Sequence, residues 1–267
     1  MGSESLSDST TSVQHAALWL GRFLAFLCFV SIYQWTAGED QDEGYLGGLS
    51  YWSNTDNIFN WHPLMMTTGM VFLGGFAITS FRLPFLTKEQ NKVIHSVCHV
   101  AAIICWSFGL AAIWRNKYRN KNSDGTYKQS LYSFHSIVGL MTCVLYAFNY
   151  FIGLFVYALG IVDIETKVAI MPWHVFLGTF SFLMGFASTL SGLQNFSSTC
   201  QLDSADLSTS SPNTDPAANW SDQSDGCHYL QSATICAYFA VALLFFGVQR
   251  MFSTDKNDGQ DEKFLSL

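Results

Sequence analysis

Apolar residues in this chain gather into six blocks separated by polar stretches. A block of about 20 such residues crosses a bilayer as a helix, because a helix satisfies its own backbone polar groups where no water can. The blocks fall at about 16–36, 59–80, 93–114, 131–158, 168–192 and 229–252, which predicts six transmembrane helices. The pattern describes an all-α, polytopic membrane protein with a tail at 1–15, a membrane domain at 16–252 and a second tail at 253–267. A long polar loop at 193–228 precedes the last helix.

Composition agrees. Charged residues make up 12% of the chain, against about 25% in an ordinary soluble domain. The net charge of −7 sits mostly in tails and loops, and no basic footprint suggests nucleic acid. The polar first residues lack the positive region of a cleaved signal peptide, and Leu6 stands where a myristoylation signal needs Ser or Thr.

Orientation comes from the loops. With six crossings both termini share a side, and the basic residues divide seven to five between the two faces, which decides nothing. The 193–228 loop carries the glycosylation sequons at Asn195 and Asn219, together with Cys200 and Cys227, the only cysteines outside the apolar blocks. Glycans and a disulfide both belong to an oxidising, non-cytosolic compartment, so the termini are placed in the cytosol. Plasma membrane and endomembrane both stay open.

Five histidines lie near the starts of the middle four helices: His62, His95 and His99, His135, and His174. Polar groups inside a membrane segment cost free energy and ask for a function. Successive helices run in opposite directions, so the starts of the second and fourth share one membrane face and those of the third and fifth share the other. His62 therefore meets His135, and His95 meets His174, about 15–20 Å away along the membrane normal. Zinc wants four ligands, and neither pair has an obvious carboxylate beside it. Haem iron takes four ligands from its macrocycle, so two imidazoles complete it, and six occupied positions favour electron transfer over oxygen binding. The prediction is a four-helix core holding two haems.

Neighbouring residues fit this pattern. Gly139 and Gly178 each lie four residues after a histidine, on its face of the helix, and are expected to clear room beside it; Gly69 is the counterpart after His62. Asn60 is read as the cap that makes Pro63 a first-turn residue, with Pro172 in a similar part ahead of His174. Trp61 and Trp173 suit the aromatic belt of the interface. Of the two histidines on the third helix, His95 matches the depth of His174, which leaves His99 as a haem-edge or hydrogen-bonding residue.

With "FNWHPLM", "KVIHSVCH", "YSFHSIVG" and "MPWHVFLG" in this order, the chain resembles the cytochrome b561 family over about residues 50–195. The resemblance implies two haem b groups, a homodimer in lipid, and transfer of electrons from cytosolic ascorbate to monodehydroascorbate or a ferric chelate outside. It makes the chain a transmembrane ascorbate-dependent oxidoreductase. His62, His95, His135 and His174 fall on the family's ligand positions and His99 on its non-ligating histidine. The family's basic stretch for ascorbate corresponds to Arg82, Lys88 and Lys92; Lys167, seven residues before His174, is a weaker candidate outside it. Arg22 is read as snorkelling rather than as reaching a haem propionate. The chain departs from the family at Ile137, where Trp is usual, and in a basic stretch with one arginine, interrupted by Pro84. The "RNKYRNK" run at Arg115–Lys121 is read as a solvated loop, with attraction of a second anion as the other reading. The rival from another class is a haem-free transporter or receptor, which calls for polar groups near the bilayer midplane; mainly Phe, Leu, Val and Gly stand there.

Overall fold

The computed structural model describes residues 2–41, 44–52, 56–83, 85–202 and 225–248. Among them run six helices long and apolar enough to cross a membrane. They are α1 (Gly2–Ala37), α2 (Asn57–Arg82), α3 (Lys88–Arg119), α4 (Phe134–Ala158), α5 (Ile164–Leu202) and α6 (Asp225–Val248). Asn219 and the basic residues of the C-terminal tail lie outside the described residues, as does the side chain of Cys200.

Local chemistry sets the starts. Thr87 caps α3 in a reciprocal box with Gln90, the Gln90 N–H donating to Thr87 Oγ1 at 3.2 Å and the Thr87 N–H to Gln90 Oε1 at 2.9 Å. Ser133 and Ser136 make the same box at α4. At α5 the Thr166 N–H donates to Asp163 Oδ1 at 2.8 Å, and this bond holds the Asp163 carboxyl below its ordinary value. The polar ends extend the helices beyond their apolar blocks. As a result the basic Arg115–Arg119 stretch is the last turn of α3 and not a loop, with Lys117 and Arg119 at the negative end of the helix dipole. Likewise α5 runs to Leu202, so Asn195 is helical.

Pro63 lies in the first turn of the regular helix that starts at Trp61, but Asn60 and Pro172 behave differently from expectation. A 3-10 turn leads into α2, and Asn60 does not cap it; its Nδ2 donates instead to the carbonyls of Leu46 and Gly48, both at 2.7 Å. That bond pair pins the preceding loop against the start of α2. Pro172 lies inside α5, eight residues past Ile164, because Asp163 nucleates the helix much earlier than the apolar pattern suggests. Its missing N–H leaves the carbonyl one turn back without a helical partner.

α2 pairs with α3 and α4 with α5, while α1 and α6 pack together along one side. A Cβ on Gly69 would lie 2.8 Å from the Ala102 carbonyl, so glycine is what lets α2 and α3 approach this closely. Both α2 and α4 contain a wide π turn, at Thr68–Leu73 and Gly153–Ala158. The Thr68 hydroxyl donates to the Leu64 carbonyl at the first of these, competing with the regular ladder. Met70, Ala102, Trp106, Cys143 and Tyr146 fill the centre of the four-helix core. Outward faces carry exposed Val97 and Ile104 on α3, Phe148 and Phe155 on α4, and Phe176 and Phe180 on α5. Such a belt suits lipid and not water.

Candidate functional site

The helices bring four of the five histidines into two facing pairs. At the first site, His62 on α2 meets His135 on α4 with ring centroids 6.1 Å apart and planes at 89°. At the second, His95 on α3 meets His174 on α5 at 6.4 Å and 66°. Along α5 the turn that holds His135 lies fourteen residues from His174, roughly 20 Å of helix.

Three of the four rings are held through Nδ1 by the helix packed beside their own. His62 Nδ1 lies 3.0 Å from the Gly109 carbonyl on α3, and His95 Nδ1 lies 2.9 Å from the Ala77 carbonyl on α2. His135 Nδ1 lies 2.8 Å from the Ser188 carbonyl on α5. A carbonyl can only accept, so each of these Nδ1 atoms carries the proton and each Nε2 keeps its lone pair for a metal. His174 faces the Asn149 backbone on α4, but its buried Nδ1 has no aligned partner.

Room for the rings comes from glycines that the helix pattern did not single out. A Cβ at Gly192 would fall 2.7 Å from His135 Cε1, and one at Gly153 would fall 2.9 Å from His174 Cε1. Gly139 and Gly178, expected to free space beside the imidazoles, instead meet Ser188 Oγ and Asn149 Nδ2 across the helix interface, though each also lines a cavity. The reason is antiparallel packing: the residue opposite a ring belongs to the neighbouring helix. The sequence does hold the signal. His135, Gly139, Asn149 and Gly153 on α4 recur 39 residues later as His174, Gly178, Ser188 and Gly192 on α5. With the helices antiparallel, that repeat relates the two sites by an approximate two-fold axis.

Each pair opens onto its own cavity. The first, of about 250 Å³, includes Trp35, Phe59, Trp114, Lys117, Tyr132 and Asn195 in its walls. The second, of about 230 Å³, includes Lys88, Lys92, Lys167, His99, Tyr146 and Tyr157. An iron–imidazole bond of about 2 Å, with roughly 1.1 Å from ring nitrogen to ring centre, places two coaxial imidazoles about 6.2 Å apart. The observed 6.1 and 6.4 Å match that spacing. The residues present therefore fit haem, with His62 and His135 at one site and His95 and His174 at the other as its holders.

The second site has the richer surroundings. His99 packs edge-on against His95 at 4.4 Å between centroids, and its Nδ1 lies 2.5 Å from the Tyr146 hydroxyl. It turns to Tyr146 rather than facing His174. Tyr157, an aromatic on α4 with no distinctive spacing, packs on His174 at 5.3 Å and donates to the Lys167 carbonyl. Arg82 ends α2 and does not line this cavity. Arg22 does not snorkel: it is buried, with Nε and Nη2 donating to the Thr79 hydroxyl and carbonyl and the guanidinium over Trp19 and Phe76. It lines neither cavity. Trp61 packs edge-on against Phe108, so it serves the interior, whereas Trp173 is exposed to the lipid belt. Cys227 is disulfide-bonded.

Comparison with known proteins agrees with this geometry. The family model for eukaryotic cytochrome b561 matches residues 61–199. A transmembrane ascorbate ferrireductase of Arabidopsis thaliana is 30% identical over 67% of this chain and 74% of its own length. A plasma membrane ascorbate-dependent reductase of Xenopus laevis is 32% identical over 64% of this chain, and a lysosomal membrane ascorbate-dependent ferrireductase of Mus musculus is 34% identical over 55%. The matches span 56% and 59% of the frog and mouse proteins. Six membrane-length helices, paired imidazoles in the core and a family match across that core lead to one conclusion: the chain belongs to the eukaryotic cytochrome b561 family of haem b proteins.

Proposed function

We propose that this chain is a transmembrane oxidoreductase that takes electrons from cytosolic ascorbate and delivers them to monodehydroascorbate or ferric iron on the other side, with two haem b groups held by His62/His135 and His95/His174. The observation that carries the reading is the presence of two facing imidazole pairs at opposite ends of one four-helix core. The relatives' names add ascorbate as donor and ferric iron as acceptor. Bound at these pairs, haem b supplies a reversible one-electron iron couple.

The chain's own residues have separate parts in this reading. The four histidines hold and orient the groups, and apolar walls exclude water. Lys88, Lys92 and Lys167 give the second cavity a cationic lining, which concentrates ascorbate, a monoanion at neutral pH. Arg82 adds to the field from the same end of the bundle. At the first cavity Lys117, which donates to the Gln129 carbonyl at 2.9 Å and reaches over Tyr132, offers one positive charge to an anionic acceptor. The disulfide at Cys227 supports an oxidising compartment at that end, and with it a reading in which the second cavity and both termini face the cytosol. A homodimer in lipid, in the plasma membrane or an endomembrane, completes the proposal.

The test uses purified protein in sealed vesicles with ascorbate on one side only. Rapid reduction followed by ascorbate bleaching, then reoxidation by monodehydroascorbate or a ferric chelate added to the opposite side, is the expected result. A colourless preparation after haem supplementation, without a Soret band, would favour a haem-free transporter instead.

A further inference from the structure

Arg22 sits in the membrane-spanning part of α1, where a buried guanidinium is costly and asks for a use. Its fork closes on one residue: Nε donates to the Thr79 hydroxyl at 3.1 Å and Nη2 to the Thr79 carbonyl at 2.7 Å. That carbonyl is open because α2 tightens into a 3-10 turn at Ser80–Arg82. The Leu83 N–H goes to the Ser80 carbonyl at 3.0 Å, and the Thr79 carbonyl, its partner in a regular helix, is left to Arg22. The Thr79 hydroxyl in turn donates to the Gly75 carbonyl at 2.9 Å, so the fork grips both the side chain and the main chain of this helix end. Trp19 on α1 and Phe76 on α2 flank the guanidinium.

The clamped turn is also the one that touches His95. The Ala77 carbonyl, two residues before Thr79, takes the His95 Nδ1–H at 2.9 Å and the Ser80 hydroxyl at 2.8 Å. The Phe81 ring, two residues after Thr79, packs on the His95 ring at 5.3 Å and lines the second cavity. Ala77, Thr79 and Ser80 are fully buried, so a movement of this turn passes on to its neighbours. We propose that Arg22 is a positioning residue for His95: clamped from α1, the Ala77–Phe81 turn fixes the rotation of the His95 ring and with it the angle between the two imidazoles of the second site. The inference rests on the two-haem reading above. Arg22 precedes residues 61–199, which the family match covers, so this support comes from outside the matched core. At the first site the Nδ1 partners are Gly109 on α3 and Ser188 on α5, neither of them held by Arg22.

Low-spin electron paramagnetic resonance of the oxidised, haem-loaded protein tests this, because the g anisotropy of an iron between two imidazoles follows the angle between their planes. His135→Ala removes one component and thereby assigns both. Arg22→Met deletes the fork and is expected to shift the largest g value of the His95/His174 component alone. Arg22→Lys keeps the charge but has a single donor group, and Thr79→Val deletes only the hydroxyl arm; each is expected to shift the same component by less. Unchanged spectra or equal shifts of both components overturn the proposal. So does a wild-type spectrum in R22K beside a shifted one in R22M, since charge rather than the clamp would then be acting. Should R22M fail to retain haem, R22K and T79V carry the test, and wild-type spectra in both overturn the proposal. A wild-type protein with one haem and one component overturns the two-haem reading and this inference with it, and is told apart from two components that ignore the substitutions.

Discussion

The two histidine sites share a grip and differ at the mouth. Both hold facing imidazoles near 6 Å between helices that run in opposite directions. Around the first, aromatic side chains, serines and a single lysine line the cavity; around the second, three lysines join His99, Tyr146 and Tyr157. The comparison separates two kinds of constraint. Helix geometry and glycine clearance dictate the grip, so it repeats. The mouth is built from helix ends, which are free to differ, and there the linings of the two cavities diverge.

Removing a ligand breaks the comparison most severely. His135→Ala is expected to halve the haem content, to about one group per chain, while leaving fast reduction by ascorbate in place. His174→Ala is expected to cost the same amount of haem and to abolish that fast phase; pyridine haemochrome assay and stopped-flow absorbance read both. If each variant loses all haem, the sites are not independent.

Smaller but still site-selective effects come from the glycines that touch the rings. Gly192→Val forces carbon against His135 and Gly153→Val forces it against His174. Overpacking of this kind costs about 1–3 kcal/mol. Each variant should empty its own site and spare the other, as the bound-haem spectrum would report.

Charge at the mouths sharpens the contrast further. Lys88→Ala or Lys92→Ala should raise the apparent KM for ascorbate several-fold, by about 1 kcal/mol or less per charge, with the difference shrinking in high salt. Lys117→Ala should leave that step unchanged and slow reoxidation by an anionic acceptor. Reversal of these two results would place the donor at the other end.

Capping residues offer the mildest probe. Loss of Thr87 or Ser133 costs about 1 kcal/mol and lowers the thermal midpoint similarly. Only Ser133→Ala, two residues from His135, should also broaden the spectrum of the first site. Thr87→Ala, a turn and more from His95, should not.

Much of this architecture is legible in the residues themselves. Six apolar blocks announce six spans, and the alternation of helix direction pairs His62 with His135 and His95 with His174 before any contact is seen. Of the two histidines on α3, His95 faces His174 and His99 turns to Tyr146. Helix ends were harder to read. Thr87, Asp163 and the basic end of α3 extend the helices into polar sequence, because capping and dipole interactions act where hydropathy is silent. Arg22 and Asn60 were read locally, as a snorkelling cation and a cap, but each bonds to backbone far along the chain.

By itself the sequence determined what lipid and helical periodicity enforce: the number of spans, their all-helical character, the depth of each histidine and the family to which the motifs point. Tertiary structure decided what depends on a neighbour, namely which glycine faces which ring and which carbonyl takes the Nδ1 proton of His62, His95 and His135. The reason is physical. Spans and depths follow from the free energy of one chain in its solvent, whereas contacts across antiparallel helices depend on the rotation and offset at which two surfaces interlock.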